Sequence, residues 1–149
     1  MKLSKKCQYA LRAVLELAAR SNQAPVKIQA VAEAQAIPHR FLEVILNELR
    51  HGGIVASRRG NDGGYLLASP PESFTVASVI EQIEGRVSIS PVGQGDGEDR
   101  KEAFGDGAFD RLWAQIDDAI RAVCDGTTFG DLLSYEQESR AGAALNYCI

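Results

Sequence analysis

The feature that most constrains this chain is a glycine-rich link between two short strand-like runs. The runs are Ile54-Val55-Ala56-Ser57-Arg58 and Tyr65-Leu66-Leu67-Ala68, joined by Arg59-Gly60-Asn61-Asp62-Gly63-Gly64. Such a link between such runs predicts a β-hairpin. Gly52-Gly53 stops the helical pattern before it, and Pro70-Pro71 closes the unit.

What precedes the hairpin is helical. Leu3, Cys7, Leu11, Val14, Leu15 and Ala18 recur at three- and four-residue steps, with Ser4 as N-cap and Asn22 and Pro25 beyond the end. Ile28, Val31 and Ala32 mark a short second helix, and a turn follows around Ala36-Ile37-Pro38. A third helix over 39–51 turns Phe41, Leu42, Ile45, Leu46 and Leu49 inward. After the hairpin, Thr75 to Glu84 puts Val76, Val79, Ile80 and Ile83 on one face. Helix, helix-turn-helix, then hairpin is the order of a winged helix, a mainly α fold with one small β-hairpin. It is assigned residues 1–85.

Residues 86–107 read as a flexible linker, with five glycines and a cluster of acids between 92 and 107. The acids at 96, 98, 99 and 102 lack EF-hand spacing and its closing glutamate, so a solvated linker is preferred to a metal loop. Residues 108–149 are expected to form a long helix and a tail. Phe109, Leu112, Trp113, Ile116, Ile120 and Val123 make an apolar stripe, read as a dimer interface or core rather than an effector pocket. A last short helix is expected at about 128–135, around Phe129, Leu132 and Leu133.

The net charge of −4 conceals an asymmetry. Residues 1–70 hold ten Lys/Arg against five Asp/Glu, whereas 71–149 hold six against fifteen. A basic half suits phosphates, and an acidic half keeps the remainder off a polyanion. On the third helix the exposed candidates are His39, Arg40, Glu43 and Asn47. Glu43 suits a cytosine amino group, Asn47 an adenine edge, and His39 and Arg40 stand at the helix start, where phosphate is favoured. Taken alone, the helix could equally be a solvated surface face. The hairpin adds Arg58 and Arg59 beside Gly60, where a wing needs cations for phosphate or the minor groove. Together with the charge asymmetry, they favour double-stranded DNA as the partner.

Other classes find little support. No nucleophile–base pair and no phosphate-binding glycine loop opening a helix occurs, so no enzyme is expected. Cys7, Cys124 and Cys148 are odd in number and widely spaced, with no CxxC, so neither a disulfide framework nor a zinc site is expected. Cys7 falls on an apolar stripe as a small core residue. No run approaches the roughly 20 apolar residues that span a bilayer, and no signal h-region follows the basic start, so the expected location is the cytoplasm, off the membrane.

The sequence also resembles a family. Lys2-Leu3-Ser4-Lys5-Lys6-Cys7-Gln8-Tyr9-Ala10-Leu11-Arg12, Phe41-Leu42-Glu43, Leu49-Arg50, Gly53-Ile54-Val55, Val79-Ile80-Glu81 and Glu84-Gly85 are similar to the IscR/NsrR/CymR-type winged helix-turn-helix regulators. The most specific match is the segment from Arg59 to Ala68. The resemblance implies a transcription regulator, expected to repress, acting as a homodimer on an imperfect palindrome. It implies DNA contacts at Arg40, Phe41 and Glu43 and at Arg59. Several relatives hold an iron–sulfur cluster through three cysteines in the linker, but 86–109 has none, so no cofactor is expected. Arg111-Leu112-Trp113, Asp118-Ala119-Ile120, Thr127-Thr128-Phe129-Gly130-Asp131-Leu132 and Ser134-Tyr135 resemble the cluster-free cysteine-metabolism branch, that of CymR. Tyr147-Cys148-Ile149 is similar to the C-terminal isoleucine tails that enter O-acetylserine sulfhydrylase, which would make the chain a protein–protein adaptor. The alternative is a terminal Ile that packs on the dimer or stays disordered.

Overall fold

The structure, a computed structural model, describes residues 3–22, 24–86, 88 and 103–147, with backbone alone for 145–147. Helix α1 (Lys5–Ala19) starts where Ser4 Oγ accepts the Cys7 N–H at 3.1 Å. It buries Cys7, Ala10, Ala13, Val14, Leu17 and Ala18, and the small side chains among these let neighbouring elements approach closely. Helix α2 (Ile28–Gln35) ends at Ala36, whose φ of 51° is left-handed and reverses the chain within a short turn. Helix α3 (His39–His51) follows directly and buries Leu42, Ile45, Leu46 and Leu49. Burial of each of these four side chains contributes roughly 1.5–3 kcal/mol.

Strands β1 (Val55–Arg58) and β2 (Gly64–Leu67) pair antiparallel, from Val55 opposite Leu67 to Arg58 opposite Gly64. Val26 adds an isolated bridge to β2. It exchanges two backbone hydrogen bonds with Tyr65, each 2.8 Å long, and so ties the segment before α2 to the hairpin. This contact explains Gly64, where a Cβ would press into the Val26 carbonyl. Helix α4 (Val76–Glu84) is capped by Thr75, whose Oγ1 accepts the Ser78 N–H at 3.2 Å.

Helices α5 (Asp106–Gly126) and α6 (Phe129–Tyr147) complete the chain. Helix α5 begins inside the segment assigned to the linker, most of which lies outside the described residues. The last helix is much longer than the expected 128–135, because after Leu133 it continues without an apolar period, exposed from 134 through 144. Its first turn joins the main core. Phe129 is fully buried among α1–α4 residues, its N–H donates to Phe74 O at 3.0 Å, and the Val76 N–H donates to Thr127 O at 2.9 Å. The chain after α5 therefore returns to pack on the unit that α1–α4 and the hairpin build.

Candidate nucleic-acid interface

The α3 heptad-like spacing divides the helix cleanly. Leu42, Ile45, Leu46 and Leu49 take the inner face, which leaves His39, Arg40, Glu43, Val44 and Asn47 on the outer one, all exposed. Pro38 caps the helix without a side-chain bond, so the first-turn N–H groups of His39 and Arg40 have no intrahelical acceptor. The positive end of α3 thus points outward beside two potentially cationic side chains. His39 Nδ1 stands 3.7 Å from Glu43 Oε1, one turn on.

Not every expected reader is equally free. Asn47 Oδ1 accepts from Arg50 Nη2 at 2.9 Å, and His51 Nδ1 lies 2.7 Å from the Asn47 carbonyl. A bidentate grip on adenine needs both ends of the Asn47 amide, so Arg50 competes for one of them. Phe41 is set to one side. It is 45% exposed, and its ring meets Tyr9 of α1 edge-on with centroids 5.8 Å apart. That contact carries the α1 surface of Lys5, Gln8 and Arg12, all exposed, alongside α3.

The hairpin supplies the rest. Arg58 closes β1, and Arg59 and Gly60 start the connection, all three exposed. Gly60 has φ of 106°, and its carbonyl accepts the Gly63 N–H at 3.0 Å, which makes the tip tight. Lys27 Nζ donates to Asn61 O at 2.6 Å and anchors the tip to the segment before α2. Neither Arg40, Arg58 nor Arg59 has a side-chain partner among the described residues. Three exposed guanidinium groups without carboxylate partners are suited to phosphates or base edges.

Sequence reading passed over Val44, Lys5, Gln8 and Arg12. The helical wheel of α3 could have found Val44, since it falls on the same face as Arg40 and Asn47. The α1 residues gave no signal, because only the Tyr9–Phe41 contact shows which face of α1 adjoins α3.

Helix α5 presents a second surface. None of its residues is buried, although Phe109, Leu112, Trp113, Ile116, Ile120 and Val123 form its apolar stripe. Phe109, Leu112 and Val123 are 57%, 43% and 67% exposed, and Phe109 stacks on Trp113 at 6.3 Å. A small cavity of about 40 Å³ lies between α4 and α5, lined in part by Ile120 and Cys124 but not by Trp113. Tyr147 is the last residue of α6, while Cys148 and Ile149 lie outside the described residues.

The family model described as "Rrf2: Iron-dependent Transcriptional regulator" matches residues 3–135. The chain is 34% identical over 142 residues to the HTH-type transcriptional regulator CymR of Bacillus subtilis, covering 93% of this chain and 96% of that protein. The structure of CymR, titled the global cysteine regulator of B. subtilis, superposes with a TM-score of 0.78 over 91% of this chain and 98% of the other. IscR of T. potens gives a TM-score of 0.76 at 29% identity, covering 93% and 90%. The IscR of Vibrio parahaemolyticus is 32% identical over 135 residues, 90% of this chain and 78% of its own.

Iron is the cofactor that description implies, and the described residues do not fit an iron–sulfur cluster. Cys7 is fully buried in α1, where desolvation, followed by the charge of Glu84, pushes its thiol up to about 11, away from the thiolate a cluster needs. Cys124 sits apart on α5. Among the described residues no three His, Cys, Asp or Glu side chains are placed to share a metal ion.

Proposed function

The chain belongs to the Rrf2 family of transcriptional regulators, a DNA-binding winged helix-turn-helix family, and from that premise we propose that it is a homodimeric repressor of genes of cysteine or sulfur metabolism. The observation that carries the reading is the pairing of an outward α3 face with a wing whose arginines have no side-chain partner among the described residues. In this reading α3 enters the major groove, Arg40 anchors its start, Glu43 selects bases, and Arg59 holds phosphate or the minor groove. The uncovered stripe of α5 meets its copy, which sets two α3 helices on successive major grooves of an imperfect palindrome. The protein works in the cytoplasm and is a regulator, not an enzyme.

Arg59→Ala tests the assignment. Operator binding in a gel shift at fixed salt should weaken by about tenfold or more. Binding unchanged by the substitution would remove the wing from the interface. Wild-type affinity should also fall steeply as salt rises, since phosphate neutralisation releases counterions.

A second reading concerns the tail. Helix α6 carries the chain out to Tyr147 with residues 134–144 exposed, which favours a protein partner there. On the likeness of Tyr147-Cys148-Ile149 to isoleucine tails, that partner is O-acetylserine sulfhydrylase. A fluorescence titration comparing the chain with a form lacking Ile149 decides it, and equal affinities would dismiss the tail.

A further inference from the structure

On the α3 outer face one side chain differs in kind from most of its neighbours. Val44 is 55% exposed and apolar, between His39, Arg40 and Glu43 on one side and Asn47 on the other. It contributes nothing to the core, and a β-branched residue on an exposed helix surface is a poorer helix former than Ala, Lys or Glu. Folding therefore gives no reason for Val at this position. Its stiffness gives a reason of another kind. In a helix Val holds nearly a single χ1 rotamer, so both γ-methyl groups point in a fixed direction at no further entropic cost. One turn back, Arg40 has no side-chain partner among the described residues, and three residues on, Asn47 is partly engaged by Arg50. The apolar group thus stands beside the half-exposed Phe41, three residues back, with polar side chains elsewhere around it on the surface that would face base edges.

In the major groove a single base feature is apolar, the C5-methyl of thymine. We propose that Val44 is a specificity-determining residue that selects thymine at one position of each half-site by packing its γ-methyl groups on that methyl. The proposal rests on the DNA-binding reading above and deepens it by naming the base chemistry that one residue reads. Glu43 cannot supply this selection, because a carboxylate gains nothing from a methyl group. Arg40 cannot supply it either, because a guanidinium donates to acceptors and gains nothing from a methyl group.

The test uses the full chain and an operator selected from a random-sequence duplex pool. Each thymine of that operator is replaced singly by deoxyuridine, which removes the methyl and leaves every hydrogen-bonding group. At one thymine per half-site, the wild-type protein should lose about fourfold in affinity, the equivalent of one buried carbon at ~0.8 kcal/mol. Val44→Ala should bind the thymine operator about as weakly as wild type binds the uracil one, and should no longer distinguish the two. Val44→Thr, which keeps one γ-methyl, should retain part of the difference. Circular dichroism of both variants should match wild type, because Val44 is outside the core. If no uracil substitution weakens wild-type binding, or if the discrimination persists in Val44→Ala, the proposal is wrong while the DNA reading stands. If no sequence emerges from the pool, the DNA reading itself fails and the Val44 role with it.

Discussion

Helices α3 and α5 carry similar apolar stripes, yet their own chain completes one and leaves the other open. Four large residues of the 13-residue α3 are fully buried, whereas the 21-residue α5 buries none. The difference shows what periodicity can and cannot say. A stripe repeating every 3.6 residues shows that a face is apolar, but not which surface covers it. For α3 the cover is α1, α2, α4 and the hairpin. For α5 the described residues offer α4 and Ser88, whose hydroxyl donates to Asp117, and the stripe from Phe109 to Val123 remains partly bare. In the proposed dimer the second copy provides what α1 and α4 provide for α3.

The largest expected effect would break this contrast directly. Phe109→Glu with Leu112→Glu places two charges on the open stripe, where both residues are exposed and outside the core of their own chain. The dimer should dissociate in analytical ultracentrifugation. Operator affinity should fall on the order of a hundredfold, since a second half-site bound by a linked copy adds roughly that much avidity. The α1–α4 unit should stay folded. A double variant that remains dimeric would mean that α5 is exposed for another reason.

Leu49→Ala makes the complementary change on the covered stripe. Leu49 is fully buried, so its truncation leaves a cavity and should lower stability by about 2–5 kcal/mol in a urea titration. A loss well under 1 kcal/mol would contradict the packing of α3.

Much of this arrangement was legible in the sequence. The α3 boundaries, the wing and the α1 cap at Ser4 follow from local signals, namely glycine stops, an N-cap hydroxyl and an apolar period. Three features were not. Val26 joins the hairpin as a single rung, too short to show strand alternation. Phe129 reaches the α1–α4 core across the whole of α5, and no local pattern encodes a contact at that separation. Residues 134–144 of α6 are all exposed, so this part of the helix has no stripe to reveal it. For the interface, His39, Arg40, Glu43 and Asn47 were legible as one face, and the same helical wheel holds Val44, while the Arg50 bond to Asn47 and the Tyr9–Phe41 contact needed the fold.

The cysteines sharpen the same contrast at high pH. Cys7 lies inside the closed unit with its thiol pushed up to about 11, above its ordinary value of 9.0, by burial and by Glu84. The folded state therefore holds the proton that the unfolded state releases. This stabilisation is complete below pH 9 and is lost as pH rises through about 11. Wild type should lose on the order of 1–2 kcal/mol more than Cys7→Ala across that window. Parallel pH profiles for the two would show that the thiol is not buried in solution.

The smallest effect belongs to the joint between the two regions, the start of α6. The Asp131 carboxylate accepts the Thr128 N–H at 2.8 Å and the Thr128 hydroxyl at 2.7 Å, and Thr128 Oγ1 in turn accepts the Asp131 N–H at 3.1 Å. The backbone bond first, then the hydroxyl, hold the Asp131 pKa below its ordinary 3.8. A depressed carboxylate pKa stabilises the fold above the unfolded value and ceases to do so as pH falls through the folded one. Asp131→Asn should therefore melt below wild type at pH 7, and the gap should close as the solution is acidified past pH 3.8. Because this cap orients the turn that delivers Phe129 to the core, the same variant should expose Phe129 before α3 loosens. Hydrogen exchange resolved by residue would show α6 opening ahead of α3. Simultaneous opening would mean that α6 and the α1–α4 unit form one cooperative body, with α5 alone left open.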